Sequence, residues 1–326
     1  MVEIHRGPLA ESRHAGHAVI CDATGGIVQA WGDPDAMILP RSSAKMIQAL
    51  PLVASGAAEA FHLAEPQLAL ACASHQGAPL HVAAVEAWLK DLGLEEEDLR
   101  CGPEVSRDKA LRHAMIRDGE APCQLHNNCS GKHAGFLTLT EHLGAGPEYT
   151  APDHPVQQAV LEMFETVTGL TSPGFGIDGC SAPNYATTMH GMARAMAWYA
   201  SAQDRSDILA TSAARLVAAM YAYPDLVAGE GRACTLLMRA ALEPVAIKTG
   251  AEGFFIAILP GRGLGVALKI VDGATRASEC AFAALLVHLG VVDPGHPDVR
   301  RFLNPPIHSR SGLLAGEIRP AAGFPV

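Results

Sequence analysis

The sequence predicts an α/β fold: an α-β-α sandwich whose antiparallel-rich sheet is built from strands near both chain ends, with helices on both faces. Three observations carry that expectation. β-rich apolar runs punctuated by Gly and Pro occupy residues 17 to 33 and about 244 to 272. The stretch from 133 to 221 has mostly helical periodicity. Each apolar face of a sheet needs a cover, and the helices between the two strand regions supply it.

The elements follow in chain order. HAVICDATGGIVQAWGD, residues 17 to 33, has two apolar runs around Gly25-Gly26 and reads as a hairpin. After Pro40, RSSAKMIQALPLVASGA places Met46, Ile47 and Leu50 at helical spacing; this helix is expected to start near Ser42, Pro51 permits a kink, and Gly56 suits its C-terminal cap. QLALACAS, residues 67 to 74, is a short apolar run that leaves Ser74 at an element boundary, and Val82, Val85, Trp88 and Leu89 mark a further helix. The acidic run Glu95 to Asp98 reads as a solvated helix start. Val156, Val160, Leu161, Phe164 and Val167 form a helical stripe with Asp153 as its expected N-cap. A final helix is expected over 275 to 290. With no Ser/Pro-rich hinge, repeat or low-complexity tract, residues 1–326 read as one domain with a mostly helical subregion at about 78–240.

Bulk properties narrow the function. A composition of 49% hydrophobic and 18% charged residues is that of a globular chain, and the net charge of -10 opposes attraction to nucleic acid or an anionic membrane. The opening MVEIHRGPLAESRHAGHAV has neither a basic n-region nor an apolar h-region, and no stretch has spanning length, so a cytoplasmic protein is expected. Eight cysteines spread through such a chain predict reduced thiols.

Ser42-Ser43-Ala44-Lys45 sets a hydroxyl and an amine three residues apart at a helix start, on one face. A lysine whose pKa is lowered by burial can take the proton that otherwise keeps a serine inert. The spacing alone is common: Ser106-Arg107-Asp108-Lys109 repeats it on a solvated face, and Ser42 in isolation reads first as a helix cap. Lys248-Thr249-Gly250, on an expected strand, is rarer. Ser-x-x-Lys, a second serine at Ser74, and Lys-Thr-Gly follow in the order seen in serine β-lactamases and penicillin-binding proteins, which the chain resembles up to that point. It departs from them at Ser74-His75-Gln76, where a Ser-Asp-Asn type of string is expected.

ASHQG at 73 to 77, HNNCSGKHAGFL at 126 to 137, GIDGCSAPN at 176 to 184 and KTGAEG at 248 to 253 together resemble the asparaginase II family of the rhizobial type, over nearly the whole chain. The resemblance implies a β-lactamase/glutaminase-like fold, a homodimer, and hydrolysis of L-asparagine through two Ser-Lys pairs. These pairs map onto Ser42 with Lys45 and Ser74 with Lys248. It also implies a zinc site, with ligands mapping onto Cys129, Lys132 and Cys180 and with His133 and Asp178 beside them as outer partners in substrate binding.

Without the family, the same residues stay open. Isolated cysteines are usually small buried hydrophobes, and lysine is an uncommon ligand because it must lose its proton. A Cys129 thiolate beside Lys132 and His133 could instead be the nucleophile of a cysteine hydrolase. Thr24-Gly25-Gly26 resembles the nucleophile string of the unrelated bacterial-type asparaginases, but Ile27 replaces its second threonine and a hairpin turn explains it better. The alternatives are a penicillin-recognising serine hydrolase or esterase and a non-catalytic, zinc-stabilised binding module.

Overall fold

The computed structural model describes residues 1–325, and the chain forms two compact units, each described on its own. One comprises Met1–Ser43, Thr188–Ser201 and the chain from Gly231 onward; the other comprises Ala44–Thr187 and Ala202–Glu230.

The first unit holds the sheet predicted from both chain ends. Its five antiparallel strands lie in the order Ile27–Trp31, Gly16–Cys21, Leu264–Ile270, Phe254–Leu259 and Ala246–Gly250, so the N-terminal hairpin is joined to a C-terminal meander. All six residues of Phe254–Leu259 are buried, as expected of a strand covered on both sides. The register shows what covers each face. Gly265 pairs with Ile258, and a Cβ on Gly265 would lie 2.0 Å from the Ala197 nitrogen, so this face meets helix Met189–Ala200 almost backbone to backbone. Phe255 pairs with Leu268 on the opposite face and stacks on Phe282 of helix Thr275–His288 at 4.8 Å between ring centroids. Helices therefore lie on both faces.

The hairpin turn is built as expected. Asp22 Oδ1 accepts from the Thr24 hydroxyl at 2.6 Å and from the Thr24 amide at 2.9 Å, so the Thr24 hydroxyl is engaged in its own turn. A second, four-stranded sheet, in the order Pro306–His308, Leu314–Pro320, Val2–Arg6 and Leu9–His14, has no counterpart in the sequence reading. Its strands alternate poorly and leave much polar surface exposed, as at Leu9–His14. The helix expected to be the last, Thr275–His288, is followed by Pro297–Leu303 and two of these strands.

The second unit is mostly helical around Lys45–Ala54, in which nine of ten residues are buried. Helices Glu65–Ala71, Ser130–Leu143, Pro155–Thr168 and Ile208–Ala222 surround it. Two expectations are corrected here. Ser42 lies in a 3-10 turn, Arg41–Ala44, and the α-helix begins only at Lys45, with no side-chain cap. The apolar run near 67 lies in the helix Glu65–Ala71, where Pro66 at the first turn sets the helical φ. The cap of Pro155–Thr168 is His154, whose ring accepts from the Val156 amide at 3.2 Å, rather than Asp153.

Candidate active site

Helix Lys45–Ala54 carries its first residue inward, and Lys45 is 1% exposed. Its Nζ donates to the carbonyl of Ala73, in the peptide that leads into Ser74, and lies 3.1 Å from the Cys129 sulfur. Ser74 follows helix Glu65–Ala71 in a buried loop, where its amide donates to the Val227 carbonyl at 2.9 Å. The next residue anchors the loop: the His75 amide donates to Asn128 O at 3.1 Å and its Nε2 lies 3.0 Å from the Ser130 hydroxyl. Lys45, Ser74 and Cys129 thus share one neighbourhood within the helical unit.

Cys129 sits at the N-terminus of helix Ser130–Leu143, and Cys180 lies in the loop joining strands Phe175–Ile177 and Pro183–Tyr185. Lys132, one turn into the helix, donates to the Cys180 sulfur at 3.0 Å. The two sulfurs are also within hydrogen-bond reach, and that contact lowers Cys180 well below the ordinary thiol range while raising Cys129. Burial opposes the ionisation of Cys180; Lys132 and Lys45 favour it. Burial alone would push Lys132 down, but Cys180 and Cys129 outweigh it and raise Lys132 above its usual value. Cys129 also has Asn128 Oδ1 in reach at 3.0 Å. The Cys180 contact, then burial, raise Cys129, which disfavours the thiolate that a cysteine nucleophile needs.

His133 is fully buried; its Nδ1 meets the Tyr149 hydroxyl at 2.9 Å, and its Nε2 has no hydrogen-bond partner among the described residues. Burial, then the neighbouring Lys132 charge, holds its pKa well below the usual histidine value. Asp178 starts the tight turn that carries Cys180: its carboxylate accepts from the Gly179 amide at 2.6 Å, and its charge acts on Lys132. Ser181, at φ 70°, completes that turn.

The other two chemistry-bearing residues belong to the sheet unit. Lys248 pairs with Ile256, so its side chain rises from the sheet face that carries Met189–Ala200, and its Nζ donates to Thr249 O at 2.6 Å. The strand end lies against the segment that bears Ser42: a Cβ on Gly250 would stand 2.6 Å from Pro40 O and 3.2 Å from Ser43 N. Ser42 and Lys248 belong to the sheet unit, and Ser74 and Lys45 to the helical one. Asn127 and Asn128 were within a singled-out string but had no assigned part. Asn127 Oδ1 accepts from the Cys129 amide at 2.8 Å, and Glu104 Oε2 holds the Asn128 amide at 2.9 Å.

Zinc suits the sulfur and nitrogen donors gathered here. Cys129, Cys180 and Lys132 converge, and two sulfurs with one nitrogen would leave a fourth position open. Among the described residues no three His, Cys, Asp or Glu side chains are grouped to hold a metal, so the set depends on Lys132 giving up its proton.

The chain belongs to the L-asparaginase II family, whose model matches residues 2–320. No curated protein matches it. Among solved structures, it is similar to Mglu in its tris and glutamate form, at 14% identity and a TM-score of 0.47, over 85% of this chain and 60% of that one. The chain thus spans about 60% of the length of Mglu. It is also similar to a putative β-lactamase from Bacteroides dorei, at 13% identity and a TM-score of 0.42, over 78% of this chain and 84% of that one. A β-lactamase from Mycobacterium bovis is similar at 13% identity and a TM-score of 0.40, over 80% and 88% of the two chains.

Proposed function

We propose that the protein hydrolyses L-asparagine to L-aspartate and ammonia through an acyl-enzyme. The observation that carries this reading is the buried Lys45 amine at the Ala73-Ser74 peptide, beside the Cys129, Lys132 and Cys180 cluster, in a chain of the L-asparaginase II family. Ser42 is the proposed nucleophile, with Lys45, three residues along the chain, accepting its proton. Attack on the side-chain amide carbon forms the ester; the C–N bond breaks and the nitrogen leaves as ammonia with the transferred proton. Water then attacks the ester, its proton returns to Ser42, and aspartate is released. Ser74 and Lys248 orient the substrate and relay protons, with Ser74 the alternative nucleophile. His133 and Asp178 support substrate binding.

Zinc is proposed at Cys129, Lys132 and Cys180, where as a Lewis acid it would bind and orient polar groups of the substrate. The homodimer and cytoplasmic location belong to the same reading. No described helix is long and apolar enough to cross a membrane.

Ammonia release from asparagine and glutamine, with the colour change of nitrocefin followed in parallel and each assay run with and without added zinc, tests the substrate. Asparagine turnover is expected. Turnover of nitrocefin alone would overturn the reading in favour of a penicillin-recognising hydrolase.

A further inference from the structure

Within the sheet unit, a cavity of about 340 Å³ is walled by the start of helix Ala233–Arg239, the first turns of Thr275–His288, helix Pro297–Leu303 and strand Leu314–Pro320. Its polar lining is three arginines, Arg232, Arg276 and Arg301, and one carboxylate, Glu279. Phe302 and Ile318, both largely buried, supply an apolar wall. None of the residues discussed as catalytic or metal-binding lines it.

Three features suggest a built ligand site rather than a chance notch. Arg276 is pre-oriented, since its guanidinium donates to His14 Nε2 at 3.3 Å and to the Ser12 hydroxyl at 3.5 Å. Among the described residues, no hydrogen bond or ion pair engages the side chains of Arg232, Glu279 or Arg301, although the three share one cavity. Glu279 is held largely away from water, and burial raises its carboxyl above the ordinary value while Arg232 and Arg301 pull the other way. Unquenched guanidinium groups facing one poorly solvated carboxylate favour an occupant that is anionic at two points and cationic at one.

We propose that this cavity binds a small acidic α-amino acid of the aspartate class. Its two carboxylates meet Arg232, Arg276 and Arg301, its ammonium meets Glu279, and its methylene rests on Phe302 and Ile318. A simple anion such as phosphate satisfies the arginines but is repelled by Glu279; a dicarboxylate without an amine leaves Glu279 unpaired. The product of the proposed hydrolysis belongs to this class, and only that link rests on the catalytic reading. The cavity also has a mechanical connection to the Lys-Thr-Gly strand: Cys234, two residues after Arg232, accepts from the Thr249 amide at 3.2 Å.

The test is calorimetric titration of the full-length protein with L-aspartate, succinate and inorganic phosphate. Expected is an aspartate-binding step that is lost, or weakened by about tenfold or more, in Arg232→Gln/Arg301→Gln, because a charge-assisted contact is worth at least that. Glu279→Gln is expected to abolish the preference for aspartate over succinate. Any aspartate step owed to the hydrolytic site persists in the double variant, so that step distinguishes the two sites. If the double variant is unfolded by circular dichroism, Arg301→Gln alone, at an exposed position, gives the same comparison. Unchanged aspartate binding in the arginine variants, or phosphate binding more tightly than aspartate, overturns the proposal. Neither result bears on ammonia release from asparagine, which is measured separately.

Discussion

At the scale of single residues, the prediction of most consequence concerns the two serines. Ser42→Ala should abolish the covalent adduct seen by mass spectrometry after an asparagine pulse, while Ser74→Ala should retain it at a lower rate; an intact adduct in Ser42→Ala transfers the nucleophile role to Ser74. Lys45→Met removes the proposed base and should slow ammonia release on the order of 10²- to 10⁴-fold. Lys132→Met should weaken zinc retention, read by metal analysis after dialysis, and raise KM more than it lowers kcat. Glu279 gives a pH prediction with a definite sign. A carboxyl with a raised folded pKa binds its proton more tightly when folded, so its stabilising contribution is present below its unfolded pKa and is lost as pH rises through the folded one. Glu279→Gln should therefore unfold at higher denaturant than the parent at pH 7, and the gap should close as the pH falls toward the ordinary carboxylate range. The sequence made the identities of Ser42, Ser74, Lys45 and Lys248 legible because each lies in a short string. It could not show that Lys45 Nζ donates to the Ala73 carbonyl, since that depends on a contact 28 residues away in the chain.

Elements fared unevenly, for identifiable reasons. The hairpin around Gly25-Gly26 and the strands Ala246–Gly250, Phe254–Leu259 and Leu264–Ile270 were legible because they are apolar, β-branched and bounded by Gly or Pro. The strands Val2–Arg6 and Leu9–His14 were not, because VEIHR and LAESRH carry more polar than apolar side chains, and Val2–Arg6, which pairs with Leu9–His14, also pairs with Leu314–Pro320 at the other end of the chain. The cap at His154 escaped because a histidine ring is an unusual N-cap and an aspartate precedes it. Two substitutions test the elements. Gly265→Ala inserts a methyl at 2.0 Å from the Ala197 backbone nitrogen, which cannot move aside as a side-chain tip would; a loss of roughly 3 kcal/mol in denaturant unfolding is expected. Asp207→Ala removes the carboxylate that accepts from the Ala210 amide at 2.9 Å and should cost about 1 kcal/mol.

For the whole molecule, composition and periodicity gave a class, mixed α/β with helices on both sheet faces, and the register of Gly265 and Phe255 bears it out. They did not give the second sheet, or the division of the chain into two units whose segments interleave. Interleaving has no local signature: Thr188–Ser201 belongs with residues far from it in the sequence, and only contacts reveal it. The proposed homodimer predicts sedimentation at twice the 34.1 kDa chain mass.

None of the eight cysteines forms a disulfide; seven are buried, and Cys123 is partly accessible. A thiol-specific chromogenic reagent added to the native protein should consequently register a single slow equivalent, and the remaining seven should become titratable only as the interior opens. The protein thus carries an internal gauge of its own unfolding, one that can be followed by the absorbance of the thiol reagent.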